Sequence, residues 1–293
     1  MTNVIEAHGL TQRFGAFTAL DEVSFSVEQN TICGLLGRNG AGKTTIMQLL
    51  TGLQFPHSGS VDVFGRTPAE NAAVLSQVCF VRESQKYPED FTATHALRSA
   101  KWFFPQWDEK LAERLVADFR LPMKRRIKKL SRGQLSAVGI VVGLASRAPL
   151  TLFDEPYLGL DAVARQLFYD RLLEDYAENP RTVILSTHLI DEVGALLEKV
   201  VLVDAGRVVL EEDAETLRGA MTVVSGTASA VDAFAATRRV LHRESLGGFA
   251  AITVDRLDAA SRAQAQAAGL ELAPVSLQQL IIRTTTSTEE TVS

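Results

Sequence analysis

Apolar positions along the chain recur with two different periods, and the switches between them outline a fold. Residues 4 to 27 read as short strands with a turn: "VIEAHGL", then "DEVSFSVEQN", in which Val23, Phe25 and Val27 alternate with polar neighbours. "TICGLLG" is a continuous apolar run into glycine, the pattern of a buried strand. Beyond it Ile46, Leu49, Leu50 and Leu53 repeat at helical spacing and predict a helix. "SVDVFG" and "VCFV" read as further strands, and helical patterns dominate from about Ala93 to Arg147. "PLTLFDE" is another buried strand, followed by a helix from about Asp161 to Ala177, and "TVILSTH" and "KVVLVDAGRVVL" complete the sheet. Strands alternating with helices indicate an α/β fold with a mostly parallel sheet covered on both faces.

After about Gly219 the pattern changes. Lysine disappears, alanine rises, and "TASAVDAFAAT" and "LDAASRAQAQAAG" read as two small amphipathic helices between strands. A boundary is expected near residues 212 to 221, separating a domain over 1–220 from a compact α+β accessory domain over 221–293 whose last residues, "TSTEETVS", read as a frayed end. With 293 residues, 46% hydrophobic and 22% charged, the chain can bury a large core in two domains. A net charge of −5 disfavours nucleic acid or anionic lipid as a partner. Cys33 and Cys79 sit in apolar strand-like runs and fit a reducing cytosol better than a disulfide framework. "MTNVIEAHGL" does not read as a signal peptide. The apolar "GQLSAVGIVVGLAS" suits a buried helix rather than a membrane span, so no bilayer crossing is expected.

The chemistry concentrates at the ends of the apolar strands. "GRNGAGKTT", Gly37 to Thr45, has the spacing G-x-x-x-x-G-K-T and lies between an apolar strand and an apolar-striped helix. Backbone N–H groups of Gly37, Arg38, Asn39, Gly40, Ala41 and Gly42 can wrap phosphates there, and the following helix directs its positive end at them. Lys43 can reach the β- and γ-phosphates, and the Thr44 hydroxyl can ligate Mg²⁺, with Thr45 beside it. "LTLFDEP" ends a strand in Asp154, placed to orient Mg²⁺ through its water shell, and in Glu155, which could polarise an attacking water. His188 in "LSTHLIDE" follows another apolar strand, at the edge where a ligand crevice is expected.

In their order, Phe14, "GRNGAGKTT", "LSRGQ", "LFDEP", "LGLD" and "STH" resemble the ATP-binding-cassette (ABC) ATPases over about residues 3 to 220. "LSRGQ" between the two nucleotide motifs is peculiar to that family. The resemblance implies a P-loop cassette: a mostly parallel core, an antiparallel N-terminal β subdomain and a helical subdomain over about 90–147. It implies ATP and Mg²⁺ as ligands and a head-to-tail dimer with a second cassette, the same or a different chain. In that dimer Ser131, Gly133 and Gln134 of one copy face the ATP on the glycine loop of the other. Phe14 matches the aromatic that stacks on adenine, with a core phenylalanine as the alternative. Asp161 of "LGLD" matches a loop lying across the dimer interface, and His188 matches the histidine that contacts the γ-phosphate. The tail ending "VSLQQLIIRTT" resembles, more weakly, the accessory tails on ATPases of bacterial multidrug and antibiotic-peptide exporters.

Two positions depart from the family pattern. Arg132 stands at the third signature position, where glycine is commoner. Glu83 in "VRESQ" occupies the place of a glutamine that contacts Mg²⁺ and the attacking water, with Gln85 two residues on as the alternative. The basic run "KRRIKK", Lys124 to Lys129, fits a solvated face or a positive rim for ATP. "KWFFPQWD", Lys101 to Asp108, fits core packing or docking of a membrane subunit. Within the family three functions compete. Translation-type ATPases carry two cassettes, and repair types carry long coiled-coil insertions; this chain has one cassette and no long heptad run. A non-hydrolysing regulatory subunit would be expected to lose Lys43 or Glu155. A transporter motor, more specifically an exporter's, working with separate transmembrane permease subunits on the cytoplasmic face of the membrane, is the expectation that remains.

Overall fold

The computed structural model describes residues 2–83 and 85–279. The "TSTEETVS" end lies outside these residues, and "VSLQQLIIRTT" lies only partly inside them. The chain opens with two long strands, β1 (Asn3–Phe14) and β2 (Phe17–Glu28), joined by a tight turn. Then come β3 (Ile32–Leu36), α1 (Lys43–Leu50), β4 (Ser58–Val63), α2 (Ala72–Leu75) and β5 (Val78–Val81). The helical region holds α3 (Ala93–Phe103), α4 (Glu109–Asp118) and α5 (Arg132–Ala145). It is followed by β6 (Leu150–Asp154), α6 (Ala162–Glu178), β7 (Thr182–Thr187), α7 (Ile190–Val193), β8 (Lys199–Asp204) and β9 (Arg207–Asp213).

The chain folds into two compact units, one of residues 1–189 and 196–211, the other of residues 190–195 and 212–293. The first unit carries two sheets. An antiparallel sheet has the order β2-β1-β4, and a six-stranded sheet has the order β5-β6-β7-β3-β8-β9, in which β5, β6, β7, β3 and β8 pair in parallel. Every residue of β3, β6 and β7 is buried, which is why these strands read as continuous apolar runs. Crossovers from β3, β6 and β7 bring their carboxyl ends to one edge, where ligands of open α/β sheets bind. The helix after the glycine loop ends sooner than its apolar repeat predicts. Thr51 caps it, its hydroxyl bonding back to Met47 O at 2.8 Å, and Leu53 lies beyond it, exposed.

The helical region is fastened to the sheet by a buried ionic cluster. Asp175 of α6, 2% exposed, accepts from Arg181 Nη1 at 2.5 Å and faces Arg147 Nη2 at 3.0 Å. Arg147 also donates to Asp108 Oδ2 at 2.8 Å, while Asp108 caps α4 through Leu111 N. One carboxylate thereby joins α6, the start of β7 and the end of α5.

In the second unit, α8 (Ala214–Gly219) precedes β10 (Met221–Thr227), α9 (Ala228–Ala235), β11 (Val240–Leu246), β12 (Phe249–Asp255), α10 (Ala259–Ala267) and β13 (Glu271–Pro274). Its four strands form an antiparallel sheet of order β11-β12-β10-β13. Val231 and Phe234 of α9 and Ala265 of α10 join Val224, Ile252 and Val254 of the sheet in a small core of its own.

Asp175→Ala leaves Arg181 without its carboxylate partner and Arg147 with Asp108 alone. It is expected to lower stability by about 3–5 kcal/mol, read from the denaturant midpoint. A loss below about 1 kcal/mol would show that the cluster does not fasten the helices.

Candidate functional site

β3 runs straight into the glycine loop. Gly37, Gly40 and Gly42 all have positive φ, and a Cβ on Gly37 would lie 2.2 Å from the carbonyl oxygen of Val203. Arg38, Asn39 and Gly40 are exposed, and Ala41 is buried, its N–H bonded to Arg38 O at 3.2 Å. Gly42 begins α1 without a side-chain cap, so the first-turn N–H groups lack a capping acceptor. That leaves an anion-binding helix end beside half-buried Thr45.

Lys43 folds back into this loop. Its Nζ donates to Gly37 O at 2.8 Å and Arg38 O at 3.1 Å, and lies 3.4 Å from Glu155 Oε1, with the lysine only 6% exposed. Thr44 donates its hydroxyl to Asp154 Oδ2 at 2.9 Å. Thus the structure brings together two pairs of neighbours, Lys43–Thr44 and Asp154–Glu155, that are far apart in the chain. Asp154 is buried, and its Oδ1 has no full hydrogen bond, although the Ser186 hydroxyl sits beside it. Burial raises the Asp154 carboxyl above its ordinary range, against the lowering effect of the Thr44 and Ser186 hydroxyls. A cation at this place would relieve that cost. Thr44 and Asp154 are hard oxygen donors of the kind Mg²⁺ takes. No group of three or more His, Cys, Asp or Glu forms a metal cage among the described residues, so such an ion would draw its other ligands from phosphate and water.

Glu155 directs its two carboxylate oxygens to different partners. Oε1 faces Lys43, while Oε2 accepts from His188 Nδ1 at 2.9 Å and from the Tyr157 hydroxyl. The residue sits at φ 49°, a backbone state that costs a non-glycine residue about 1–3 kcal/mol. Tyr157, 3% exposed, belongs to none of the motifs in the sequence, and its place two residues past Glu155 is the signal that points to it. Its oxygen also accepts from Thr187 Oγ1 at 2.9 Å and His188 N at 3.2 Å. Burial, then the hydrogen bond to Glu155, pushes the phenol well above its ordinary pKa, so it remains a proton donor at neutral pH.

The remaining expected residues have other surroundings. Phe14 ends β1 and is 47% exposed, which removes the core-phenylalanine alternative. Ser131 caps α5: its oxygen accepts from Gln134 N at 3.2 Å, and Gln134 Oε1 accepts from Ser131 N at 3.1 Å. Gly133 packs against the "LGLD" turn so closely that a Cβ would lie 2.3 Å from Gly159 O, and Ser136 donates to Leu158 O at 2.6 Å. Asp161 caps α6 by accepting from Ala164 N at 2.8 Å. Glu83 is drawn to Arg132, whose guanidinium it binds, so the two departures from the family pattern answer one another. Gln85 donates to Lys86 O at 3.5 Å. Neither Glu83 nor Gln85 hydrogen-bonds to Thr44 or Asp154 among the described residues. In "KRRIKK", Ile127 is buried while Lys128 pairs with Glu89 at 2.9 Å, and in "KWFFPQWD" Trp102 and Phe103 are exposed rather than core. Both thiols are pushed up to about 12 by burial, which makes them packing groups at neutral pH.

Because the folded state holds a proton on Asp154 to higher pH than the unfolded chain does, this residue costs stability as pH rises through the carboxylate range. Asp154→Asn is therefore expected to melt above the unliganded wild type at neutral pH. The gap should close as pH falls toward about 4, where the unfolded-state carboxyl also protonates. Mg²⁺ with ATP should raise the wild-type melting temperature more than the variant's. A variant that melts lower at all pH values would contradict this.

The ABC transporter family model matches residues 20–158. An uncharacterized ABC transporter ATP-binding protein of Methanocaldococcus jannaschii is 32% identical, over 70% of this chain and 76% of its own length. Nod factor export ATP-binding protein I of Cupriavidus metallidurans is 30% identical, over 72% of this chain and 71% of its own length. A solved ATP-binding subunit of an ABC transporter superposes with a TM-score of 0.65 at 28% identity, covering 73% of this chain and 92% of that one. Motif order, fold and kinship agree, and the chain belongs to the ATP-binding family of ABC transporters, whose members are ATPases.

Proposed function

We propose that this chain is the ATP-hydrolysing motor of an exporter, one of two cassettes packed head to tail on separate membrane-spanning subunits. The observation that carries the reading is the meeting of Lys43, Thr44, Asp154 and Glu155 at the carboxyl ends of β3 and β6. Residues 1–220 form the nucleotide-binding domain in this reading, with 90–147 as its helical subdomain and 221–293 as an accessory domain. The ATP base stacks on Phe14 and its phosphates lie on residues 37–45. Thr44 and Asp154 would hold Mg²⁺, which would supply positive charge to the phosphate oxygens. Glu155 takes a proton from the attacking water as its oxygen adds to the γ-phosphorus and the bond to the bridging oxygen of ADP breaks. His188, held through Nδ1 by Glu155, is the residue that contacts the γ-phosphate in this reading. Glu83 or Gln85 would complete the Mg²⁺ side, and Glu83 already engages the Arg132 guanidinium.

Capping uses the Ser131 oxygen as acceptor and leaves its O–H to donate, and Gly133 N lies at the second position of α5, where no intrahelical acceptor exists. These donors serve the γ-phosphate on the opposite cassette, with Gln134 beside them and Asp161 at the interface. Exposed Trp102 and Phe103 support docking of a permease. No helix among the described residues is long and apolar enough to cross a membrane, which suits a chain seated on the cytoplasmic face through its permease. The export in the name of the Cupriavidus relative supports the direction of transport. Nucleic acid has no support here, since the whole chain is acidic and part of the basic run is paired.

Lys43→Ala is expected to abolish ATP hydrolysis, because it removes the buried cation of the loop. Glu155→Gln should retain ATP and run as a dimer on size exclusion, in the assembled complex if the permease is required. A monomeric Glu155→Gln chain with wild-type turnover would sink the assignment. Ser131→Arg chains mixed with Lys43→Ala chains should regain part of the activity that each lacks alone. Full activity in pure Ser131→Arg would refute action across the dimer.

A further inference from the structure

Next to the water-activating carboxylate stands a hydroxyl that the proposed reaction does not use. Tyr157 lies in the turn after β6, buried, with its oxygen between the ends of β6 and β7. Thr187 Oγ1 at 2.9 Å and His188 N at 3.2 Å both donate to that oxygen, filling its two acceptor sites. The phenolic proton then has one carboxylate within reach, and it goes to Glu155 Oε2. His188 Nδ1 lies 2.9 Å from the same Oε2 and 3.1 Å from the Tyr157 oxygen. The carboxylate can only accept and the phenol's acceptor sites are filled, so the tautomer with the proton on Nδ1 gives Oε2 its second donor. The two rings meet edge-on at 5.8 Å between centroids. Oε2 is thus held by two donors, while Oε1 faces Lys43 with no hydrogen bond of its own. A carboxylate fixed at one oxygen cannot rotate about its last bond, so the other oxygen keeps a constant aim.

We propose that Tyr157 is a positioning residue for ATP hydrolysis: its hydroxyl, set by Thr187 and the His188 backbone, locks Glu155 and His188 as one unit and aims Glu155 Oε1 at the phosphate site. This rests on the reading of Glu155 as the group that activates water. Tyr157 is 3% exposed and acts through its neighbours rather than on the reactants. Its effect should therefore fall on the chemical step and pass entirely through Glu155. Bonds to a charged acceptor are strong enough that losing one costs a rate factor of about tenfold or more.

The test is a double-mutant cycle on ATP turnover in the full chain, with the permease subunits present if turnover requires them. Tyr157→Phe keeps the ring and removes the hydroxyl. It is expected to lower kcat about tenfold or more, with KM for ATP and affinity for a fluorescent ATP analogue unchanged within about twofold. In a Glu155→Gln background the same substitution should change the residual single-turnover rate by less than about twofold. Thr187→Val should lower kcat by a smaller factor, and should have no further effect once Tyr157 is phenylalanine. A wild-type kcat in Tyr157→Phe, or an equal fractional loss with and without Glu155, overturns the proposal. If Tyr157→Phe fails to fold, seen as a lost melting transition, Thr187→Val carries the test. A normally melting Thr187→Val with reduced kcat supports the proposal, and one with unchanged kcat overturns it. Wild-type turnover by Glu155→Gln alone is a different failure, since it removes the reading on which the proposal rests.

Discussion

A buried ammonium organises the nucleotide site. Lys43 is almost wholly removed from water, and an isolated charge in that position would be untenable. It is held by two carbonyls of its own loop and by Glu155 across the sheet edge. Each of those partners needs a particular backbone. The carbonyls of Gly37 and Arg38 turn inward only because the loop passes through positive φ at its glycines. Glu155 reaches across only from a left-handed backbone state of its own.

Within the chain these charges satisfy one another. A triphosphate offers Lys43 a denser set of negative oxygens than one carboxylate does, and in the proposed reaction it relieves Glu155 of that partner. Asp154 carries the complementary cost, a carboxylate whose burial opposes its charge until a cation lies against it. The polar residues around Glu155 Oε2 do not draw on Lys43: Thr187, Tyr157 and His188 bond among themselves and to that oxygen.

Much of this was legible in the sequence, for physical reasons. Strands buried on both faces must be apolar throughout, so β3, β6 and β7 stood out, and the motifs at their ends fell at one sheet edge by topology alone. Helix limits were less legible: Leu53 continued the apolar repeat of α1, but the Thr51 cap stops the helix before it. Pairings between distant residues were not legible. Glu83 and Arg132 were each read against a family pattern, and only the fold places one carboxylate against the other's guanidinium. Tyr157 was hidden because a tyrosine in an apolar turn looks like packing until its oxygen is seen among four polar neighbours. Asp161 shows the converse, since its carboxylate has a local duty as a helix cap whatever else it does.

The signature segment and the "LGLD" turn are packed together within one chain, through Gly133 on Gly159 and Ser136 on Leu158. A change at the end of β6 therefore has a short mechanical route to α5, and in a head-to-tail pair to the second nucleotide. The measurement that bears most directly on this account is a structure with Mg²⁺ and a non-hydrolysable ATP analogue. The account predicts the γ-phosphate between Lys43 of one cassette and the signature of another, Ser131 and Gly133 where that cassette is this chain, with the base on Phe14. An analogue whose phosphates are contacted by a single chain, with Ser131 facing solvent and the base away from Phe14, would contradict it.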